Sequence, residues 1–333
     1  VSSAPLVQHA RRIADDVLFP AAMTVENTQR IPAEHLDLLA TEGFYGLAGP
    51  RENGGLDADL PSATSIIEVL AGGCLSTAFV WLQHHGAVRA VRYAASKELR
   101  DLWLTPLCSG ARRAGVALGG ALPGPPILRA RQVDGGYVLD GISPWVTGWD
   151  MIDTLYTAAR DDHDNVVAVL LTAAGGPTLT AEPLHMVAVA ASATVQLRFD
   201  GHFVPADRVI SRSPHGDWLA RDAMGLRANG SLALGVAARC CQMIGPSPLD
   251  GELLAARGAL DTALPEAMPA ARAAASELAM RTAAGLVAAQ GSRAILTGEN
   301  AQRLAREALF LLVFASRPTI KENLARRLTA ARP

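Results

Sequence analysis

The sequence predicts an α+β fold in three parts: helical, then β, then helical. Two observations carry this. Apolar residues recur at helical spacing up to about residue 112 and again from about 213. Between them the pattern changes to short β-type runs separated by turns. A chain of 333 residues, half of them apolar, can bury a large core and form two or three domains. The expected division is 1–112, an N-terminal α-helical domain; 113–212, a middle β-barrel or sandwich; and 213–333, a C-terminal helical bundle.

Each element has its own warrant. Gln8 to Asp16 carries apolar residues at helical intervals. Ile31-Pro32 opens a second helix, with proline in the first turn, where a missing N–H costs nothing. Ser62 to Ala71 and Ser76 to Val91 are two more amphipathic segments. In the middle, Tyr137-Val138-Leu139 follows the turn signal Asp134-Gly135-Gly136. Thr154 to Ala159 and Val166 to Leu171 flank the polar tip Asp161 to Asn165, which reads as a hairpin; Thr194 to Phe199 alternates as a further strand. The last third gives helices over Leu226 to Met243, Leu254 to Leu264, Ala270 to Ala289, Ala301 to Phe314 and Ile320 to Leu328, apolar over wide arcs as in a bundle.

Composition excludes several classes. A formal net charge of −2 argues against a nucleic-acid partner held by bulk electrostatics. No run reaches the ~18 apolar residues a membrane span needs, and no signal-peptide pattern is visible at the N-terminus. Cys74, Cys108, Cys240 and Cys241 lack a Cys-x-x-Cys spacing, so neither a zinc site nor any other metal centre is expected. They read as small buried apolar side chains in a reducing cytoplasm.

Several phrases stand in a telling order. Pro50-Arg51-Glu52-Asn53-Gly54-Gly55 follows the second helix. Gly136 to Gly141 precedes Trp145-Val146-Thr147-Gly148, and Ser192-Ala193-Thr194 precedes Phe199-Asp200 and Val204-Pro205-Ala206-Asp207-Arg208-Val209. Arg227 with Ala233-Leu234-Gly235 opens the last domain, and Arg303-Leu304-Ala305-Arg306-Glu307-Ala308 lies near its end. Together these resemble the acyl-CoA dehydrogenase superfamily over nearly the whole chain. The resemblance implies an FAD cofactor and an acyl-CoA or related small molecule as substrate. It implies a homodimer or homotetramer, or pairing with a heteromeric partner subunit.

It also implies site residues. Trp145 and Thr147, two apart on one strand, share a face; the Trp body can stack on an isoalloxazine ring and the Thr hydroxyl can donate. Val146 and Gly148 complete that segment. A core tryptophan beside a surface threonine is the plainer account of the tetrapeptide alone. Gly119 and Gly120, in Ala117 to Pro125, stand where the family has a glycine loop for the flavin diphosphate. A plain Gly/Pro loop fits as well. Arg227 and Ser192 are the substrate-binding candidates, with an ordinary salt bridge as the alternative for Arg227.

The proton acceptor is missing. Dehydrogenation α,β to a thioester needs a carboxylate to take the α-proton. The family position, nine residues after Arg306, is Ala315, and the alternative position before Arg227 is Leu226. Asp222 is a weak substitute, with N-capping as its plainer role. Glu307 takes a structural place, Glu68 is solvated or paired, and His84-His85 is a partly buried pair. Three functions remain open: an acyl-CoA dehydrogenase-like FAD oxidoreductase whose base comes from elsewhere or from a partner subunit, a reduced-flavin monooxygenase of the same fold, and a non-catalytic degenerate subunit.

Overall fold

The computed structural model describes residues 3–330, with residues 3 and 222–224 as backbone only. The first helix, α1 (Ser3–Ile13), runs through a π-helical turn at Ala14–Leu18 into α2 (Phe19–Thr28) and stops at Gln29, a left-handed residue. Then follow α3 (Ala33–Thr41), α4 (Leu60–Gly73), α5 (Leu75–Arg92) and α6 (Lys97–Cys108). Pro32 sits just outside α3 as its N-cap, with extended ψ of 136°, one step earlier than the sequence predicts. Side chains start two of these helices. Asp59 accepts the Ser62 N–H at α4, and Ser96 accepts the Leu99 N–H at α6.

The middle is one eight-stranded sheet: β1 (Ala114–Ala117), β2 (Leu128–Val133), β3 (Gly136–Val146), β4 (Thr154–Arg160), β5 (Asn165–Thr172), β6 (Leu179–Pro183), β7 (Val195–Pro205) and β8 (Val209–Pro214). Its order is β6-β7-β3-β2-β4-β5-β8, with β1 pairing parallel to β4 off that path. β4 and β5 form the expected antiparallel hairpin. At its tip the Asp161 carboxylate accepts the N–H groups of His163 and Asn165, both at 2.9 Å, closing the turn.

Six further helices follow among the described residues: α7 (His215–Ala220), α8 (Asp222–Ile244), α9 (Pro248–Thr262), α10 (Met268–Gln290), α11 (Asn300–Val313) and α12 (Pro318–Thr329). The two helical parts share a single apolar core, running from Ala10 and Leu18 to Leu304 and Leu324, while the sheet has its own around Leu139, Leu155 and Leu197. The join is α4 against α8. There Gly235 lets the backbones meet, because a Cβ on it would lie 2.2 Å from the Glu68 carbonyl oxygen. Glu68 itself pairs with Arg257 of α9. All four cysteines are buried free thiols.

Candidate functional site

β3 carries the segment Trp145 to Gly148 at its end. Its register against β7 slips between Ser143 and Val146, and Trp145 takes φ of +60°. That conformation is uncommon for a bulky residue. The slip breaks strand alternation, so Trp145 and Thr147 do not share a face. The indole stands 65% exposed, whereas Thr147 is 2% exposed. The Thr147 hydroxyl is engaged with that of Thr194 at 3.3 Å, and Thr194 with Ser192 at 2.8 Å. The expectation of a free Thr147 donor beside the indole is thus replaced by a closed hydroxyl chain. Ser192, fully buried, is a member of this chain rather than an open contact surface. Backbone bonds stitch the same seam: the Gly148 N–H donates to Ser192 O at 2.8 Å and the Trp149 N–H to Ala193 O at 3.2 Å.

Seven described non-glycine residues have positive φ, and three of them, Trp145, Val189 and Ala193, lie along this hydrogen-bonded seam. Each costs on the order of 1–3 kcal/mol and persists only where packing enforces it; such strain gathers at functional sites.

The glycine loop lies alongside. The Gly119 N–H donates to Ser143 Oγ at 3.1 Å, two residues before Trp145. That amide is committed to the sheet, which corrects the expectation that it faces a phosphate. Gly120 is needed for close packing, since a Cβ there would meet Ala159 Cα at 2.4 Å. The loop's oxygens turn inward. Arg160, at the end of β4, donates to Gly120 O (3.0 Å), Leu122 O (2.8 Å) and Gly124 O (2.9 Å), and pairs with Asp164 (3.1 Å). His215 Nε2 bonds Ala121 O at 3.1 Å. Neither side chain stands out in the sequence, because their partners are backbone atoms far along the chain.

Helix α5 links this segment to the position of the missing base. Val80 touches Gly148, and its neighbour Phe79 meets Phe310 and Phe314 with ring centroids 5.1 and 4.9 Å apart. Phe314 ends α11 and leads into Ala315, at φ of +50°. The α11 terminus is fixed from inside: Ser276 Oγ donates to Leu311 O at 2.8 Å, with the buried Arg272 guanidinium beside it. Around Ala315 the lining is therefore aromatic and holds no carboxylate from that loop.

The remaining candidates are elsewhere engaged. Arg227 is buried, donates from Nε to Asp261 at 3.0 Å and bonds Ser231 Oγ at 2.8 Å, so its guanidinium serves an internal ion pair and not an open substrate contact. The Asp222 side chain lies outside the described residues. Glu307 is buried against Arg303, and burial raises its pKa. His84 and His85 are both fully enclosed rather than partly buried. His84 bridges Leu107 O and the Ala114 N–H, each at 3.0 Å, and burial lowers its pKa to about 3. A charged surface depression of about 530 Å³ on α9, α10 and α12, lined by Glu252, Glu277, Arg281, Arg326 and Arg327, includes none of these residues. Among the described residues no cluster could hold a metal ion, and no helix is long and apolar enough to cross a membrane.

Comparison with known proteins agrees with this architecture. Residues 4–111 match the family described as acyl-CoA dehydrogenase, N-terminal domain. The human mitochondrial short-chain specific acyl-CoA dehydrogenase is 26% identical over 243 residues, which is 70% of this chain and 59% of that protein. The butyryl-CoA dehydrogenase of Megasphaera elsdenii superimposes with a TM-score of 0.84 over 98% of both chains at 18% identity. A solved structure of PigA with FAD and proline superimposes with a TM-score of 0.83 at 20% identity, over 98% of this chain and 97% of the other. At such identities the structural likeness establishes the fold. Residues 4–111 thus carry the acyl-CoA dehydrogenase N-terminal domain, and the whole chain has the acyl-CoA dehydrogenase fold. The aligned segments span 59–62% of the length of the curated relatives matched first.

Proposed function

We propose that this chain is an FAD-dependent oxidoreductase acting on an acyl-CoA. The observation that carries the reading is Trp145: a large indole held outward by a strained backbone, beside a glycine loop and joined through α5 to the Ala315 turn. An exposed flat aromatic is a stacking wall for a planar heterocycle. FAD, when bound, supplies a two-electron acceptor. Trp145 would flank its ring, and Val146, Thr147 and Gly148 would fix the segment beneath. The acyl-CoA dehydrogenases among the relatives support an acyl-CoA as substrate and its dehydrogenation as the reaction, which we assign to the α,β carbons.

In that reaction a carbon–carbon double bond forms as the α-proton leaves to a base and the β-hydrogen leaves as hydride. Phe79, Phe310 and Phe314 exclude water near Ala315. No carboxylate occupies Ala315 or Leu226, so the proton goes to a group from elsewhere, which we assign to a partner subunit in a homodimer, homotetramer or mixed pair. The four free thiols support a reducing, cytoplasmic setting in acyl-group metabolism.

Ala315 also favours a second reading. Oxygen activation on reduced flavin needs no α-proton base, so a monooxygenase of the same fold is compatible with an apolar turn there, as is a non-catalytic subunit. Absorption spectra discriminate. Purified protein given FAD and gel-filtered should retain the flavin band, and anaerobic butyryl-CoA should bleach it. Retention without bleaching by any acyl-CoA would turn the assignment to the second reading. Failure to retain FAD would remove both enzymatic readings.

A further inference from the structure

The connector between β6 and β7, residues 184–194, is a closed loop. The Leu184 N–H donates to Thr194 O at 3.0 Å, so its two ends leave the sheet side by side. Its body does not stay with the sheet. Val189 and Ala191 are buried in the apolar core that the two helical parts share, and Met186 packs against it. The turn Ala190–Ser192 lies on α2 and α5. The loop therefore crosses from the sheet to the helices. Two of its residues stand in the left-handed region, Val189 at φ of +50° and Ala193 at φ of +45°. A β-branched residue rarely adopts that conformation unless its surroundings enforce it.

Each side of the crossing has its own fastening. On the sheet side the Gly148 and Trp149 N–H groups donate to Ser192 O and Ala193 O, and the Thr147 hydroxyl meets that of Thr194. On the helical side Arg306 of α11 donates from Nη1 to Val187 O at 2.9 Å, at the exposed tip of the loop. The same Nη1 donates to Glu26 of α2, and Nε donates to Gln302 Oε1 at 3.0 Å. The Glu26 side chain is only 5% exposed. A buried carboxylate deprived of its cation is costly, so the pair keeps the guanidinium in place. Arg306 thus joins α2, α11 and the loop tip. It is also one helical turn from Phe310, which meets Phe79.

We infer that residues 184–194 form a strap between helices and sheet, and that Arg306 is the positioning residue that latches it and thereby sets Trp145. The path runs through bonded neighbours: from Arg306 to Val187, along the strained backbone at Val189 to Ser192 and Ala193, then across to Gly148 and Trp149. The indole is exposed, so few contacts of its own hold it and the seam behind it does. The inference goes beyond the flavin reading, because it concerns the setting of the indole whatever planar group meets it.

Fluorine NMR of the whole chain labelled with fluorotryptophan reads this directly. The chain has five tryptophans, and Trp145→Phe and Trp149→Phe assign the two on the seam. Trp103, beneath Arg208, and Trp218, on α7, are the controls. Arg306→Gln should displace or double the Trp145 and Trp149 resonances and leave those of Trp103 and Trp218 in place. Amide exchange at Gly148 and Trp149 should quicken by about tenfold, the factor carried by one charge-assisted hydrogen bond. Arg306→Lys keeps the cation and should recover part of both effects. If Arg306→Gln does not fold, Glu26→Leu combined with Arg306→Met replaces the buried pair by apolar side chains of similar size. The latch is then lost with the fold kept, and the same two resonances should move. Unmoved Trp145 and Trp149 resonances in a folded variant would overturn the inference. So would equal displacement of all five together with a lowered melting temperature, or failure of both variants to fold, since either means an arginine that merely supports the fold.

Discussion

Trp145 is held outward by the slip between Ser143 and Val146, and by its own φ of +60°, not by ordinary strand alternation. Stacking of a planar base on such an aromatic contributes about 1–3 kcal/mol by alanine substitution. Trp145→Ala should therefore weaken FAD binding roughly tenfold or more in a fluorescence titration while leaving the melting temperature nearly unchanged. Full flavin occupancy in that variant would mean the ring sits elsewhere. His84 makes a different prediction. Its neutral form is built in, because Nδ1 accepts the Ala114 N–H and burial opposes charging. The unfolded chain takes up a proton near the ordinary 6.5, whereas the folded chain does so only near 3. Between those values the unfolded state binds more protons, so stability falls as pH falls through that window, by up to about 1.4 kcal/mol per unit from this residue. Urea midpoints of His84→Gln against wild type should converge as pH is lowered from 7 to 5; parallel curves would exclude His84 as a source of acid sensitivity. The tryptophan was legible as a residue with a site-like sequence context. Its orientation was not, because alternation places Thr147 beside it and only the backbone slip separates them. Arg160 was illegible altogether: its loop partners lie 36 to 40 residues upstream and are backbone oxygens, which leave no side-chain pattern to read.

At the scale of elements, α4 and α8 meet at the closest helix contact described above. Gly235 occupies the crossing and its missing side chain brings the Glu68 carbonyl within reach. Gly235→Ala adds one methyl where backbone must move to admit it, and backbone yields less readily than a flexible side chain. The expected cost is about 1–3 kcal/mol of stability, read as a lowered urea midpoint with an unchanged slope. A variant as stable as wild type would mean that the two helices separate freely. The segment Ala233-Leu234-Gly235 could be singled out from sequence, and the long apolar helices and the β4–β5 hairpin could be placed closely. Helical periodicity and a polar turn between two apolar runs are local signals. The π-helical turn at Ala14–Leu18 and the α11 terminus held by Arg272 and Ser276 are tertiary events. An arginine buried in mid-helix reads as a surface residue until the carbonyl it serves, 39 residues away, is in place.

For the molecule as a whole, the placement of uncovered apolar side chains decides what is missing. Of fifteen exposed large apolar side chains among the described residues, seven lie between Leu254 and Leu328: Leu254, Leu264, Ile295, Leu296, Leu309, Val313 and Leu328. Scattered single residues need no account, but a concentration in one region marks an association surface. Two of them, Leu309 and Val313, are one helical turn apart on α11 and so share a face. Val313 is also two residues from Ala315, where the chain supplies no proton acceptor. An association surface that includes this turn would bring another subunit's side chains to the place where a base is wanted. The wild type should accordingly sediment as a dimer or tetramer. Leu309→Asp combined with Val313→Asp adds two charges to that face and should yield monomers. If the base comes from the neighbour, those monomers should still bind FAD, since Trp145 and the segment beneath it belong to one chain, but should lose acyl-CoA-dependent bleaching. Monomers that bleach at the wild-type rate would place the base within the chain. A wild type that sediments as a monomer would leave the apolar face to some other partner and remove the shared-site account.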